Sequence, residues 1–136
     1  MTAARVLHAG AVDGIVMRLG KPLSFWGGFD PTTGTIIDEA HPQVGRCLTG
    51  RIVVMPGSRG SSGTPGVLAE AIRAETGPAG FVVTKADINL TAGAVVAEAL
   101  YGRTCPIVQV GDRELDELVE GMTISITADG IIRTVK

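Results

Sequence analysis

The chain has 136 residues, enough for one domain that buries its own core without a metal or a disulfide. With 45% hydrophobic and 19% charged residues it is not a disordered chain, and a net charge of −2 with a pI near 5.6 argues against nucleic acid or an anionic membrane as partner. No charged-then-apolar leader opens the sequence and no apolar run approaches membrane-spanning length, so a cytoplasmic protein is expected.

In chain order, residues 5–9 and 14–19 read as short strands around a turn at Gly10–Gly14. The stretch KPLSFWGGFDPTTGTIID follows, with three of the five aromatics: Phe25, Trp26 and Phe29. Its paired glycines and its Asp30-Pro31 turn signal predict a loop, after which 35–38 forms a strand. Residues 52–55 are an unbroken apolar strand of the kind buried on both faces. Beyond the Gly/Ser-rich PGSRGSSGTPG (56–66), Thr64 is the expected N-cap of a helix with Pro65 at its first position. Val67, Leu68, Ala71 and Ile72 form its apolar stripe, and Gly77-Pro78 stops it. A strand at 81–84, a helix at 92–100 and a strand at 106–110 come next. The helix carries Val95, Val96, Ala99 and Leu100 on one side and ends at Gly102. Two strands at 122–127 and 131–135 close on Asp129-Gly130 as a hairpin. The centre therefore reads β-α-β-α-β, which favours a parallel sheet, inside one α/β domain (1–136) with mixed sheets.

Cys47 and Cys105 are the only cysteines, far apart and without a CxxC, and His8 and His41 stand at unrelated spacings. No metal is expected to be held by this chain alone, and no disulfide.

The 56–66 loop leaves the carboxyl end of a buried strand and enters a helix, the place where open α/β sheets bind ligands. Amides and the helix dipole there favour anions. The loop has no Lys for a Walker A motif, no G-x-G-x-x-G, and no G-x-S-x-G elbow. A serine pair beside Arg59, the one charged residue in the loop, remains. Such a turn could stabilise negative charge on a serine oxygen or grip a carboxylate or phosphate. Chemistry beyond binding would need a group from elsewhere, which points to a partner subunit. A binding module without chemistry, or a regulatory subunit whose serines only shape a turn, stay open.

LSFWGGFDPTTG at 23–34, His41-Pro42, Gly45, Gly50-Arg51 and RGSSG at 59–63 together resemble the small subunit of the aconitase X family, over about residues 14–106. The resemblance implies a swivelling β/β/α domain equivalent to the mobile domain of aconitase-like hydro-lyases. In that superfamily a Gly-Ser-Ser-Arg stretch carries the base, which places Ser61 as base. The arginine departs from the pattern: Gly63 follows the serine pair and Arg59 precedes it, so Arg59 as a substrate ligand is inferred from charge and position. Gly60, Ser62 and Gly63 join it as expected substrate-binding residues. The implied reaction is loss of water from a small hydroxy acid. An iron or iron–sulfur centre held by a large aconitase X-type subunit would act as Lewis acid on the departing hydroxyl. Known family substrates are cis-3-hydroxy-L-proline and phosphomevalonate. Few lysines and a single loop arginine favour the former. Phe25, Trp26, Gly27 and Gly28 are expected to wall the pocket or face the large subunit, next to the 56–66 loop.

Overall fold

The computed structural model describes residues 1–60 and 62–135. In chain order its elements are β1 (Thr2–Ala3), β2 (Arg5–His8), β3 (Val12–Arg18), the short turn α1 (Phe25–Gly28), β4 (Phe29–Asp30) and β5 (Thr35–Ile36). Then come β6 (Ile52–Val54), α2 (Thr64–Arg73), β7 (Gly80–Val83), α3 (Ile88–Tyr101), β8 (Ile107–Gln109), α4 (Asp112–Asp116), β9 (Thr123–Ile126) and β10 (Ile131–Thr134). The expected parallel unit is present: β3, β6, β7 and β8 lie side by side and parallel.

The strands run in the order β1-β10-β9-β3-β6-β7-β8-β2, with antiparallel pairs at both ends. β3 belongs to both halves. Val12–Ile15 pair with β9, whereas Val16–Arg18 pair with β6. Ile124, Ile126 and Ile132 of the hairpin share one apolar cluster with Val16, Ile52, Val54, Val82 and Val108, so the halves pack face to face. Alternate residues of the same central strands, Met17, Val53, Phe81, Val83 and Ile107, point the other way, into a cluster with Leu68, Ala71, Ile72, Leu90 and Ala94 of α2 and α3. This period of two explains the continuous apolar runs: each central strand faces a layer on both sides. The result is a mixed α/β domain with two sheet layers and one helix layer.

Several boundaries differ from the sequence expectation for local reasons. The strand at 35–38 ends at Ile36, because the amides of Ile37 and Asp38 both turn to the carbonyl of Gly28. Thr64 is already helical; Gly63, which has no side chain to cap with, occupies the N-cap position. α3 starts at Ile88 rather than 92, because Asp87 caps it by accepting from the Leu90 amide at 3.0 Å.

Of the α3 residues, Leu90, Gly93, Ala94 and Ala97 are buried against the core. Gly93 permits the close approach to α2: a Cβ there would stand 3.0 Å from both the Leu68 Cβ and the Pro65 carbonyl oxygen. The side carrying Val95, Val96, Ala99 and Leu100 faces outward.

Candidate functional site

Because β6 and β7 are parallel neighbours, their carboxyl ends deliver two loops to one edge of the sheet. The carbonyl of Pro56 accepts from the amides of Thr84 and Lys85, both at 3.1 Å, and joins those loops at their roots. One residue further, Ser58 donates both its amide and its hydroxyl to Asp87 Oδ2, each at 2.7 Å. Asp87 therefore uses one carboxylate oxygen to cap α3 and the other to hold the start of the 57–63 loop. Charge-assisted bonds of this length are the stronger kind.

A third segment meets the loop from the opposite side. The Arg59 amide donates to the Leu23 carbonyl at 3.0 Å, which ties the loop to the aromatic turn α1. Within α1, Trp26 (ψ 109°) and Gly27 (φ 83°) leave helical geometry, and this kink separates the neighbouring aromatics. Phe25 is fully buried, 5.0 Å from the Phe29 ring and 5.8 Å from the Phe81 ring. It is a core residue, and the expectation that it lines a pocket or interface is corrected here: its ring completes an aromatic cluster under the sheet. Trp26 is 64% exposed, and its indole lies across Gly63. A Cβ on Gly63 would sit 2.6 Å from Trp26 Cε3, so the first residue before α2 has no room for a side chain.

Two clefts flank Gly60. One, of about 380 Å³, is lined by Ser24, Trp26, Gly27, Gly28, Asp38, Arg59 and Gly60. The other, of about 250 Å³, is lined by Gly57, Ser58, Gly60, Lys85, Asp87 and Asn89, among others. The expected neighbourhood of the loop and the aromatic turn is thus observed. Arg59, Gly60, Gly63, Trp26, Gly27 and Gly28 come together there, and exposed Ser62 sits between Gly60 and Gly63 in the chain. Ser61 lies outside the described residues.

Lys85, Asp87, Asp38 and Asn89 line the clefts without having been singled out from the sequence. The available signal for the 85–89 group was topological: parallel β6 and β7 must bring 84–87 beside 56–58. The carboxylates are engaged by backbone. Asp38 Oδ1 accepts from the Ala40 amide at 2.9 Å, and both Asp87 oxygens are used. Among the described residues, Arg59 and Lys85 form no ion pair. Arg59 and Lys85 thus stand at the two clefts that share Gly60, where their charges favour an anion.

His41 and Cys105 are structural. His41 is buried; its Nδ1 accepts from the Gln43 amide at 3.1 Å, so Nε2–H donates to the Lys21 carbonyl at 2.9 Å. Cys105 is buried, and desolvation pushes its thiol up from 9.0 to about 12. Among the described residues, no group of three or more His, Cys, Asp or Glu could hold a metal ion.

Fold and site together define a mixed α/β domain with a Gly/Ser-rich loop between a central parallel strand and a helix. The chain belongs to the aconitase X swivel domain family, which it matches over residues 1–134. It is 44% identical over 114 residues to a cis-3-hydroxy-L-proline dehydratase of Pseudomonas aeruginosa, covering 84% of this chain but 20% of that protein. The chain thus spans about a fifth of that relative's length. It is 34% identical over 126 residues to the phosphomevalonate dehydratase small subunit of Methanothermobacter thermautotrophicus, covering 92% of each chain. Among solved structures it resembles the aconitase X of Thermococcus kodakaraensis in its holo-form. The TM-score is 0.86 at 28% identity, over 98% of this chain and 97% of that one.

Proposed function

We propose that this chain is the single-domain small subunit of a cytoplasmic, iron-dependent hydro-lyase that removes water from a small hydroxy acid, active only with a large subunit. The observation that carries this reading is the mouth around the 57–63 loop. It combines Arg59 and Lys85, at two clefts that share Gly60, with backbone ties from Ser58 to Asp87 and from Arg59 to Leu23. In this reading Arg59 grips the substrate carboxylate, Gly60, Ser62 and Gly63 of the loop lie against the substrate, and Lys85 lines the neighbouring cleft. Ser61 is then the base that takes a proton from the substrate, a role that requires positive charge or donors to stabilise its oxygen as an alkoxide. Trp26, Gly27 and Gly28 form the outer wall, toward the large subunit. An iron or iron–sulfur centre would supply Lewis-acid chemistry, but the described residues of this chain do not fit one. In this reading the large subunit holds it.

Cis-3-hydroxy-L-proline is the favoured substrate, supported by the 44% identity to the Pseudomonas dehydratase. Phosphomevalonate is the second reading, supported by a relative that matches this chain end to end as a separate small subunit. The test is to purify the chain with and without its large subunit and to assay both substrates. The expected result is dehydration of cis-3-hydroxy-L-proline by the pair and none by the single chain. Turnover of 5-phosphomevalonate alone would select the second reading. Carboxylate binding by the isolated chain, with no turnover by the pair, would reduce the loop to a binding module.

A further inference from the structure

The two sides of α3 are inverted relative to an ordinary surface helix. Its buried side is built mostly from small residues, Gly93, Ala94 and Ala97, with Leu90 the single large one. Directly opposite, Ile88, Ala92, Val95, Val96 and Ala99 recur at helical spacing and form an apolar outer side without a charge. Ile88 is 81% exposed and Leu100, at the flank, 67%. Between this side and Leu7 of β2 runs a groove of about 460 Å³, lined almost entirely by apolar groups. A helix that turns its larger apolar residues to solvent marks a surface that another chain covers.

We propose that this groove is the docking surface for the large subunit, an inference that rests on the two-chain reading above. The groove is continuous with the candidate site, because Ala86, Asp87 and Ile88 line both it and the cleft beside Gly60. A chain seated on α3 therefore abuts the mouth where the missing chemistry is needed. A second copy would bring only the same residues, which hold no metal-ligand cluster among those described. The relatives supply the remaining argument. In the Pseudomonas protein this segment is a fifth of a longer chain, whereas in the Methanothermobacter relative it is nearly the whole of a small subunit. Where the covalent link is absent, the same piece must be held by an interface, and a stable one covers about 800 Å² on each partner.

The test measures binding of the large subunit from the same genome to the wild-type chain, to the double variant Val95→Glu/Val96→Glu, and to Ser61→Ala. The double variant is expected to melt within about 3 °C of wild type, since both positions are exposed. Its dissociation constant should rise at least ~100-fold, as for two charges placed in an interface core. Ser61→Ala should bind as wild type does while losing turnover. As a measurement independent of the variants, the methyl resonances of Ile88, Val95 and Val96 should shift when the wild-type chain is titrated with the large subunit. Unchanged binding by a folded double variant, or unshifted methyls in a formed complex, would overturn this surface and leave the two-chain reading standing. A wild-type homodimer that the double substitution splits would overturn it too, in favour of a second copy. No complex with wild type at all would overturn both.

Discussion

The starts of α2 and α3 lie at the same edge of the sheet, after neighbouring parallel strands, yet they are finished in opposite ways. α3 is closed by Asp87, whose Oδ1 takes the Leu90 amide. α2 begins at Thr64, behind Gly63 as an N-cap residue with no side chain of its own, which the Trp26 indole overlies. The two starts are linked, since the second Asp87 oxygen fixes Ser58 and with it the base of the loop that leads into α2.

The largest expected effect comes from removing that link. Asp87→Ala loses the cap of α3 and strands the Ser58 donors, a loss of about 3 kcal/mol. Urea unfolding measures it, and Asp87→Asn, which keeps one acceptor oxygen, should recover roughly half. Next is Gly63→Ala, whose methyl must displace the Trp26 ring. Destabilisation of about 2 kcal/mol is expected, with a blue or red shift of the fluorescence of the single tryptophan. An unshifted spectrum would mean that the indole does not cover the α2 start.

A smaller effect tests the loop itself. In 50 mM succinate the isolated chain should gain about 1 kcal/mol if the anion binds with a dissociation constant of about 10 mM. Arg59→Ala should lose most of that gain, whereas equal stabilisation of both proteins would point to a general solvent effect. Smallest of all, Trp26→Ala should change stability by no more than about 0.5 kcal/mol, because the side chain is mostly exposed. A loss above about 2 kcal/mol would make Trp26 part of the core rather than a cover for the loop.

Much of this edge was legible from residue order. The apolar runs at 52–55, 81–84 and 106–110, each bounded by Gly or Pro, define the parallel strands, and the Gly/Ser stretch between strand and helix defines the loop. What escaped depends on contacts between distant segments. Phe25 and Trp26 are adjacent and chemically alike, and only the kink at Trp26-Gly27 decides that one fills the core while the other reaches the surface. Asp87 was hidden because 88–91 (INLT) carries no obvious periodicity, so the helix was expected to start later than its cap. The outward turn of Val95 and Val96 was equally invisible, since an apolar stripe reads the same whether it faces a core or a partner. The β1 and β2 edges are held by partners about 100 residues away, which local pattern cannot reveal.

Turnover by the assembled pair carrying Ser61→Ala decides whether the loop between β6 and α2 performs chemistry or only shapes a turn. If Ser61 is the base, this pair assembles normally and its kcat on the hydroxy acid falls by at least ~100-fold, as for loss of a general base. Turnover within threefold of wild type by the assembled variant would contradict it.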